Sequence, residues 1–347
     1  MNDIRRVLSY NDVLLCPRNS ELEHISDADI RYDYSTMAGV YPIINAPMDK
    51  VCSPKLIHLM DEMGFPTTIH RWFDSVEEQI QFYKECKLNN ESHCFISVGI
   101  VAKWKDWIDA LIRFQKKELE SFGFLVDVAN GDTKSAVETV KYIRSYTNPL
   151  ISIMAGNVAT RSGFARLQEA GANFIRVGIG GGSICSTRLN TGFGVPTLTS
   201  VFDCAKVKES AYLVADGGIE SAGDICKAIA AGADMVMVGK MLAATSLSSG
   251  EKVDVNGKTF VRYSGMASKE ANEKLKSKKS VISIEGVSGL IPYNGETEEV
   301  LNSIIGNLQS SVAYYAGCRN WKDFRRKVKF LEITTQGWEE SKTRVNL

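Results

Sequence analysis

Phe174-Ile-Arg-Val-Gly-Ile-Gly-Gly-Gly-Ser-Ile-Cys-Ser-Thr-Arg188 is an apolar run that enters a glycine-rich turn. It reads as a strand ending in a loop. Without Cβ atoms, clustered glycines let backbone N–H groups turn toward an anion. Cys185 lies inside the loop, followed by two hydroxyls and Arg188. A thiolate is a strong nucleophile, and neighbouring N–H dipoles or an arginine favour its ionised form. A phosphate cradle beside a nucleophile points to covalent chemistry on a phosphorylated small molecule. The alternative is a glycine loop around a cysteine that serves only as a small buried hydrophobe.

The same strand-then-turn unit recurs along the chain. Strands are expected at Pro42–Ala46, Thr67–His70, Cys94–Gly99, Gly123–Asp127, Leu150–Met154, Phe174–Val177, Tyr212–Ala215 and Met235–Val238. Several are apolar throughout, as strands buried on both faces require. Amphipathic helical patterns lie between them, at Ser75–Cys86, Lys134–Ser145, Ala159–Ala170 and Ala222–Ala231. Eight such units close into a (β/α)8 TIM barrel, an α/β fold with one catalytic face at the strand C-terminal ends. An open doubly wound sheet is the competing arrangement. Between Ile69 and Cys94 there is room for one helical unit, so residues 1–347 are expected to form a single catalytic domain. The long catalytic loop follows the sixth strand. An insertion after the eighth, Glu251 to about Gly295, carries a hairpin (Val253–Asp254, turn at Asn256-Gly257, Phe260–Tyr263) and a lysine-rich stretch. Val300–Leu347 is expected to hold one helix and a charged tail.

Composition narrows the function. Of 347 residues 44% are apolar, enough for a large core, and 41 basic residues balance 41 acidic ones. No electrostatic footprint for nucleic acid or an anionic membrane is present. The start, Met-Asn-Asp-Ile-Arg-Arg, lacks an apolar signal core, and no run reaches transmembrane length. Cys16, Cys52, Cys86, Cys94, Cys185, Cys204, Cys226 and Cys318 are scattered, without a Cys-x-x-Cys pair. That is reduced-thiol usage and implies a cytoplasmic protein. His24, His58, His70 and His93 show no ligand spacing, which argues against a transition-metal centre.

The seventh and eighth strands end in Asp216-Gly217-Gly218 and Gly239-Lys240. Loops after the last two strands are the usual phosphate site of such barrels. Asp216 could hold ribose hydroxyls while the glycine N–H groups hold phosphate. Two ordinary glycine turns with a capping Asp are the alternative.

These residues carry a resemblance. From Leu8 to about Gln336 the chain resembles the IMP dehydrogenase/GMP reductase family. The matching segments are Tyr10-Asn-Asp-Val-Leu-Leu15, Ala46-Pro-Met-Asp49, Ile69-His70, Ala155-Gly-Asn-Val-Ala-Thr160, the Cys185 loop, Ala215-Asp-Gly-Gly-Ile219, Gly265-Met266 and Glu285-Gly286. The resemblance implies that Cys185 adds to purine carbon 2 of a nucleoside monophosphate, forming a thioimidate. It implies that Thr187 and Glu285 assist departure of ammonia or activation of water. Ser183, Gly218, Gly239 and Tyr263 would meet the phosphate and Asp216 the ribose, with Gly217 beside the substrate, and Lys240, where the family has a small residue, would add a charge-assisted phosphate contact. Gly265, Met266, Ala267 and Ser268 would lie along the substrate. Arg71, Asp127, Ala129, Asn130 and Gly131 would meet the nicotinamide cofactor. Gly180 and Gly182 could hold a monovalent cation such as K+, and a homotetramer is implied.

Within the family the chain is more similar to the reductase branch, which turns GMP and NADPH into IMP and ammonia. Asp127-Val-Ala-Asn-Gly131 resembles the reductase pattern at the fourth strand. No Arg-Tyr pair of the kind that activates water in dehydrogenases lies between Met266 and Glu285. The regulatory (CBS) insertion after the second strand is absent. Dehydrogenase-like features are Gly286–Gly295 and Ile333-Thr-Thr-Gln-Gly-Trp-Glu-Glu-Ser341, so IMP oxidation to XMP with NAD stays as an alternative. Departures from both patterns are Gly181 for proline, Ser186 for threonine, Lys50 for threonine, Lys240 for a small residue, and the missing acidic pair at Ser246–Ser249.

Two other classes remain open: a purine-nucleotide-binding barrel without turnover, against which Cys185, Thr187 and Glu285 together argue, and a flavin-dependent barrel. The cluster Lys269, Lys274, Lys276, Lys278 and Lys279 would neutralise the 2′-phosphate of NADPH or form a solvated face. His70-Arg71 is either a cofactor contact or a structural pair. Trp338 and Tyr314-Tyr315 are candidates for packing between subunits.

Overall fold

A computed structural model describes residues 4–89, 91–100, 103–119, 121–265 and 288–342. Eight parallel strands form its centre: β1 Ile43–Asn45, β2 Thr67–Ile69, β3 Cys94–Val98, β4 Gly123–Asp127, β5 Ile153–Val158, β6 Phe174–Val177, β7 Tyr212–Asp216 and β8 Met235–Val238. From β2 to β8 each pairs with its chain neighbour, and β8 pairs back onto β1, so the sheet curls into a nearly closed (β/α)8 barrel. At the seam between β1 and β2 a side chain replaces the ladder. The Asn45 carboxamide donates to the Thr68 carbonyl at 2.9 Å and accepts from the Thr68 N–H at 2.8 Å. A carboxamide carries the same donor and acceptor as a peptide group, so Asn45 closes the ring fully buried.

Alternation along the strands separates two apolar layers. Met235 and Met237 of β8 face the barrel interior with Phe95, Leu125, Met154, Phe174 and Val214. Val236 and Val238 pack outward under the helices. A hairpin of Tyr32–Tyr34 and Met37–Val40 plugs the end where the strands begin, with the Tyr34 hydroxyl donating to the Asp234 carbonyl at 2.7 Å. That leaves the opposite end open.

The surrounding helices are α1 Pro54–Glu62, α2 Val76–Glu85, α3 Trp104–Glu118, α4 Lys134–Tyr146, α5 Arg161–Glu169, α6 Thr197–Ala205, α7 Ala222–Ala230 and α8 Thr297–Ser310. Their starts follow side-chain chemistry. Ser53, Ser75, Thr133, Thr160 and Ser221 each accept an N–H from the first turn, satisfying a donor that the helix leaves unpaired.

Three expectations need correction. The fifth strand begins three residues after Leu150, which is 74% exposed. Asn148 accepts the Leu150 N–H to make a turn, and Asn173 Oδ1 accepts the Ile153 N–H that starts the ladder. The Asn256-Gly257 hairpin forms at Lys252–Val255 and Lys258–Ser264, but a third strand, Ser288–Pro292, joins it. The C-terminal region holds more than one helix and a tail: Trp321–Lys327 and Thr335–Glu340 are helical. Between them Phe330–Glu332 pairs antiparallel with Val13–Leu15, fastening the two ends of the chain together.

Candidate active site

At the C-terminal ends of the strands lies a cavity of about 400 Å³. Three charged side chains floor it. Leu125 and Val214 point into the barrel, so Asp127 and Asp216, two residues on, point into its top layer. Arg176 of β6, two residues past the inward Phe174, lies between them. Its Nη1 donates to Asp127 Oδ1 at 2.5 Å, and its Nη2 donates to Asp216 Oδ2 at 2.8 Å. In the sheet register Asp127 opposes Gly156, and Gly156 opposes Arg176. A Cβ on Gly156 would sit 2.6 Å from Arg176 Cβ, so this glycine leaves the gap that the guanidinium crosses.

Burial alone would raise the Asp127 carboxyl, but Arg176 and Arg71 outweigh it and hold that carboxyl below the usual range. Burial would likewise lower the Arg176 guanidinium, and the two aspartates reverse this. Asp127 and Arg176 are therefore both charged at neutral pH. Asn157 Nδ2 also donates to Asp216 Oδ2, at 2.7 Å, so the contacts converge on one carboxylate oxygen.

The Cys185 loop covers one side. Cys185 Sγ is 3.2 Å from Thr187 Oγ1, and the Cys185 N–H donates to the Gly182 carbonyl at 3.1 Å. Arg188 does not serve the thiol as expected. It runs along Gly180 and Gly194 and donates to the Val195 carbonyl at 2.9 Å, bracing the loop. At Gly178, φ is +149° and a Cβ would stand 1.8 Å from the Asp216 carbonyl oxygen. Only glycine lets this loop pass so close to the turn after β7.

The turn Gly217-Gly218 packs directly against the loop, where a Cβ on Gly217 would stand 3.1 Å from the Gly182 nitrogen, and Gly239-Lys240 and Tyr263 from the hairpin line the same cavity. Tyr263 is buried, which raises its phenol well above the ordinary value, and it hydrogen-bonds Ser183. It is a neutral donor at physiological pH. Lys240 Nζ is 2.9 Å from Glu220 Oε1. On the other flank Arg71 Nε approaches Asp127 Oδ2 at 3.3 Å and its guanidinium stacks on Trp72 at 4.2 Å. Its neighbour His70 is stacked on Phe73 at 4.3 Å and accepts the Trp72 N–H at Nδ1. Burial pushes His70 down to about 4, so it is a neutral structural group.

Of the residues singled out in the sequence, Arg71, Asp127, Ala129, Gly180, Gly182, Ser183, Cys185, Thr187, Asp216, Gly217, Gly218, Gly239, Lys240, Tyr263 and Gly265 line this one cavity. Asn130 and Gly131 do not. Asn130 Oδ1 accepts the Asp132 N–H, and the Gly131 N–H donates to the Asn157 carbonyl at 2.7 Å, so both shape the loop behind the wall. Met266, Ala267, Ser268, Glu285 and the Lys269–Lys279 cluster lie outside the described residues. Trp338 lies over Lys227 Nζ of its own chain at 5.5 Å, while Tyr314 and Tyr315 are exposed. Sequence reasoning missed Arg176, Asn157, Trp72 and Glu220. For Arg176 a signal existed: a lone cation in an otherwise apolar strand.

For a monovalent cation Gly180 and Gly182 offer main-chain oxygens only, and the Gly182 carbonyl already accepts the Cys185 N–H. No group of three or more His, Cys, Asp or Glu able to hold a metal stands among the described residues. Among these residues no helix is long and apolar enough to cross a membrane.

Comparison with known proteins adds an independent line. A family model described as the IMP dehydrogenase / GMP reductase domain matches residues 7–344. The GMP reductase of Vibrio atlanticus (strain LGP32) is 32% identical over 339 residues, covering 95% of each chain. GMP reductase 2 of Homo sapiens is 33% identical over 345 residues, 96% of each chain. The inosine-5′-monophosphate dehydrogenase of Aquifex aeolicus (strain VF5) is 41% identical over 226 residues, 62% of this chain and 46% of its own.

Proposed function

The chain belongs to the IMP dehydrogenase / GMP reductase family, and from that premise we propose that it is a GMP reductase. The observation that carries the reading is that the Cys185–Thr187 pair and the Gly217-Gly218 and Gly239 turns line one cavity. Relatives bearing the reductase name match along nearly the whole chain.

In this reading Ser183, Tyr263 and the backbone of Gly218 and Gly239 hold the phosphate, and Asp216 receives the ribose hydroxyls on its Oδ1 side. The Cys185 thiolate adds to purine carbon 2. Thr187, with Glu285, passes a proton to the 2-amino group, which leaves as ammonia. Cleavage of the C2–S bond returns its electron pair to sulfur and restores the Cys185 thiolate. The chemistry that NADPH supplies when bound is hydride transfer. The sum is GMP plus NADPH plus two protons giving IMP, NADP+ and ammonium. The lobe at Asp127 and Ala129 suits a flat, partly polar ring, because Trp72 beside it has a buried indole N–H with no partner among the described residues. Gly180 and Gly182 would hold a K+ ion, a hard cation suited to carbonyl oxygens. The homotetramer and a cytoplasmic location belong to the same reading, and all eight cysteines are free.

The test is a paired assay at the nicotinamide absorbance, GMP with NADPH or NADH against IMP with NAD, each with and without K+. Reduction of NADPH-supplied GMP should dominate. The stretch of higher identity to a dehydrogenase favours one second reading, oxidation of IMP to XMP. Faster formation of XMP than consumption of NADPH establishes that reading instead.

A further inference from the structure

Lys240 directly follows Gly239 at the end of β8, and Glu220 lies two residues past Gly218 at the end of β7. Their side chains meet across the mouth of the cavity at 2.9 Å, and both line it. Glu220 is the more solvent-exposed of the two, at 56% against 39% for Lys240. The Glu220 N–H is tied to Asp224 Oδ2 at 3.2 Å, in the first turn of α7, which fixes where its carboxylate emanates. An anion thus stands at the outer edge of a subsite read as a phosphate cradle.

We propose that Lys240 and Glu220 act together as a selectivity filter that admits a nucleoside monophosphate and rejects a diphosphate. The inference rests on the phosphate placement of the preceding reading and assigns a role to Glu220 that this reading does not use. In the unliganded pocket Glu220 neutralises Lys240. A terminal phosphate seated between the two turns takes its place, one anion exchanged for another. A second phosphoryl group extends outward from that seat and meets the Glu220 carboxylate with Lys240 already neutralised. Like charges at this exposure cost a modest amount, worth about fivefold in affinity.

Calorimetric titration of GMP, GDP and guanosine, without cofactor and at low salt, tests this on the wild type, Glu220→Gln and Lys240→Met. The expected result is that Glu220→Gln tightens GDP more than GMP, narrowing their affinity ratio about fivefold, and that added salt erases the difference. Lys240→Met should weaken GMP while leaving guanosine unchanged. An unchanged GDP-to-GMP ratio in Glu220→Gln overturns the filter, as does wild-type binding of guanosine as tight as GMP. If the ratio shifts as expected in a protein that consumes no NADPH with GMP, the reductase reading fails and the filter stands.

Discussion

Arg176 Nη2 lies 2.8 Å from Asp216 Oδ2 while Nη1 of the same guanidinium reaches Asp127 Oδ1. One buried cation therefore fixes both the carboxylate read as the ribose contact and the carboxylate read as the cofactor contact. Arg176→Met should leave Asp127 with Arg71 alone and Asp216 with no cation, and cost about 3 kcal/mol, the lower end of the loss seen when one partner of a buried pair is removed. Arg176→Lys restores charge but cannot span both carboxylates, so it should recover stability better than nucleotide binding. Urea unfolding and GMP titration measure the two effects. A Met variant as stable as the wild type would show that the triad contributes nothing to the fold.

Cys185→Ala should still bind GMP but lose turnover by several orders of magnitude, because removing the nucleophile leaves no covalent route. Calorimetry reads the first and the nicotinamide absorbance the second. Appreciable residual turnover sinks the covalent mechanism.

Gly178→Ala should damage the active loop rather than the barrel core. The added methyl would collide with the Asp216 carbonyl oxygen, 1.8 Å away, and that backbone atom cannot step aside. The expected loss is about 3 kcal/mol together with weaker binding of GMP. A variant with wild-type melting and binding would contradict the close approach.

His70 predicts an acid limb of stability. Its folded value of about 4 lies below the ordinary 6.5, so the unfolded chain takes up the proton more readily. The neutral form stabilises fully above about pH 6.5, and roughly 3 kcal/mol is lost as pH falls toward 4. The depressed Asp127 carboxyl adds a loss at still lower pH, of the same sign. His70→Asn, whose amide oxygen can accept the Trp72 N–H as Nδ1 does, should flatten the slope of urea stability between pH 6.5 and 4.5. An unchanged slope would place the acid limb elsewhere.

The barrel strands were legible locally because burial on both faces demands continuous apolar runs, and Phe174-Ile-Arg-Val177 or Met235-Val-Met-Val238 carry that demand in their composition. The glycine turns and Cys185 were legible too, since each is a local chemical feature. The fifth strand was misplaced because Leu150 is apolar yet serves a turn set by Asn148.

The repeating unit, the eight-strand fold and the strand ends where chemistry gathers are thus written locally along the chain. That Asn45 closes the seam, that Gly156 opens the path for Arg176, and that Glu220 meets Lys240 follow from the folded barrel alone. Each of these is a pairing between residues 20 to 49 positions apart. A lone polar residue in an apolar run states that it needs a partner but not which one. That choice belongs to the register and curvature of the closed sheet, which no local stretch encodes.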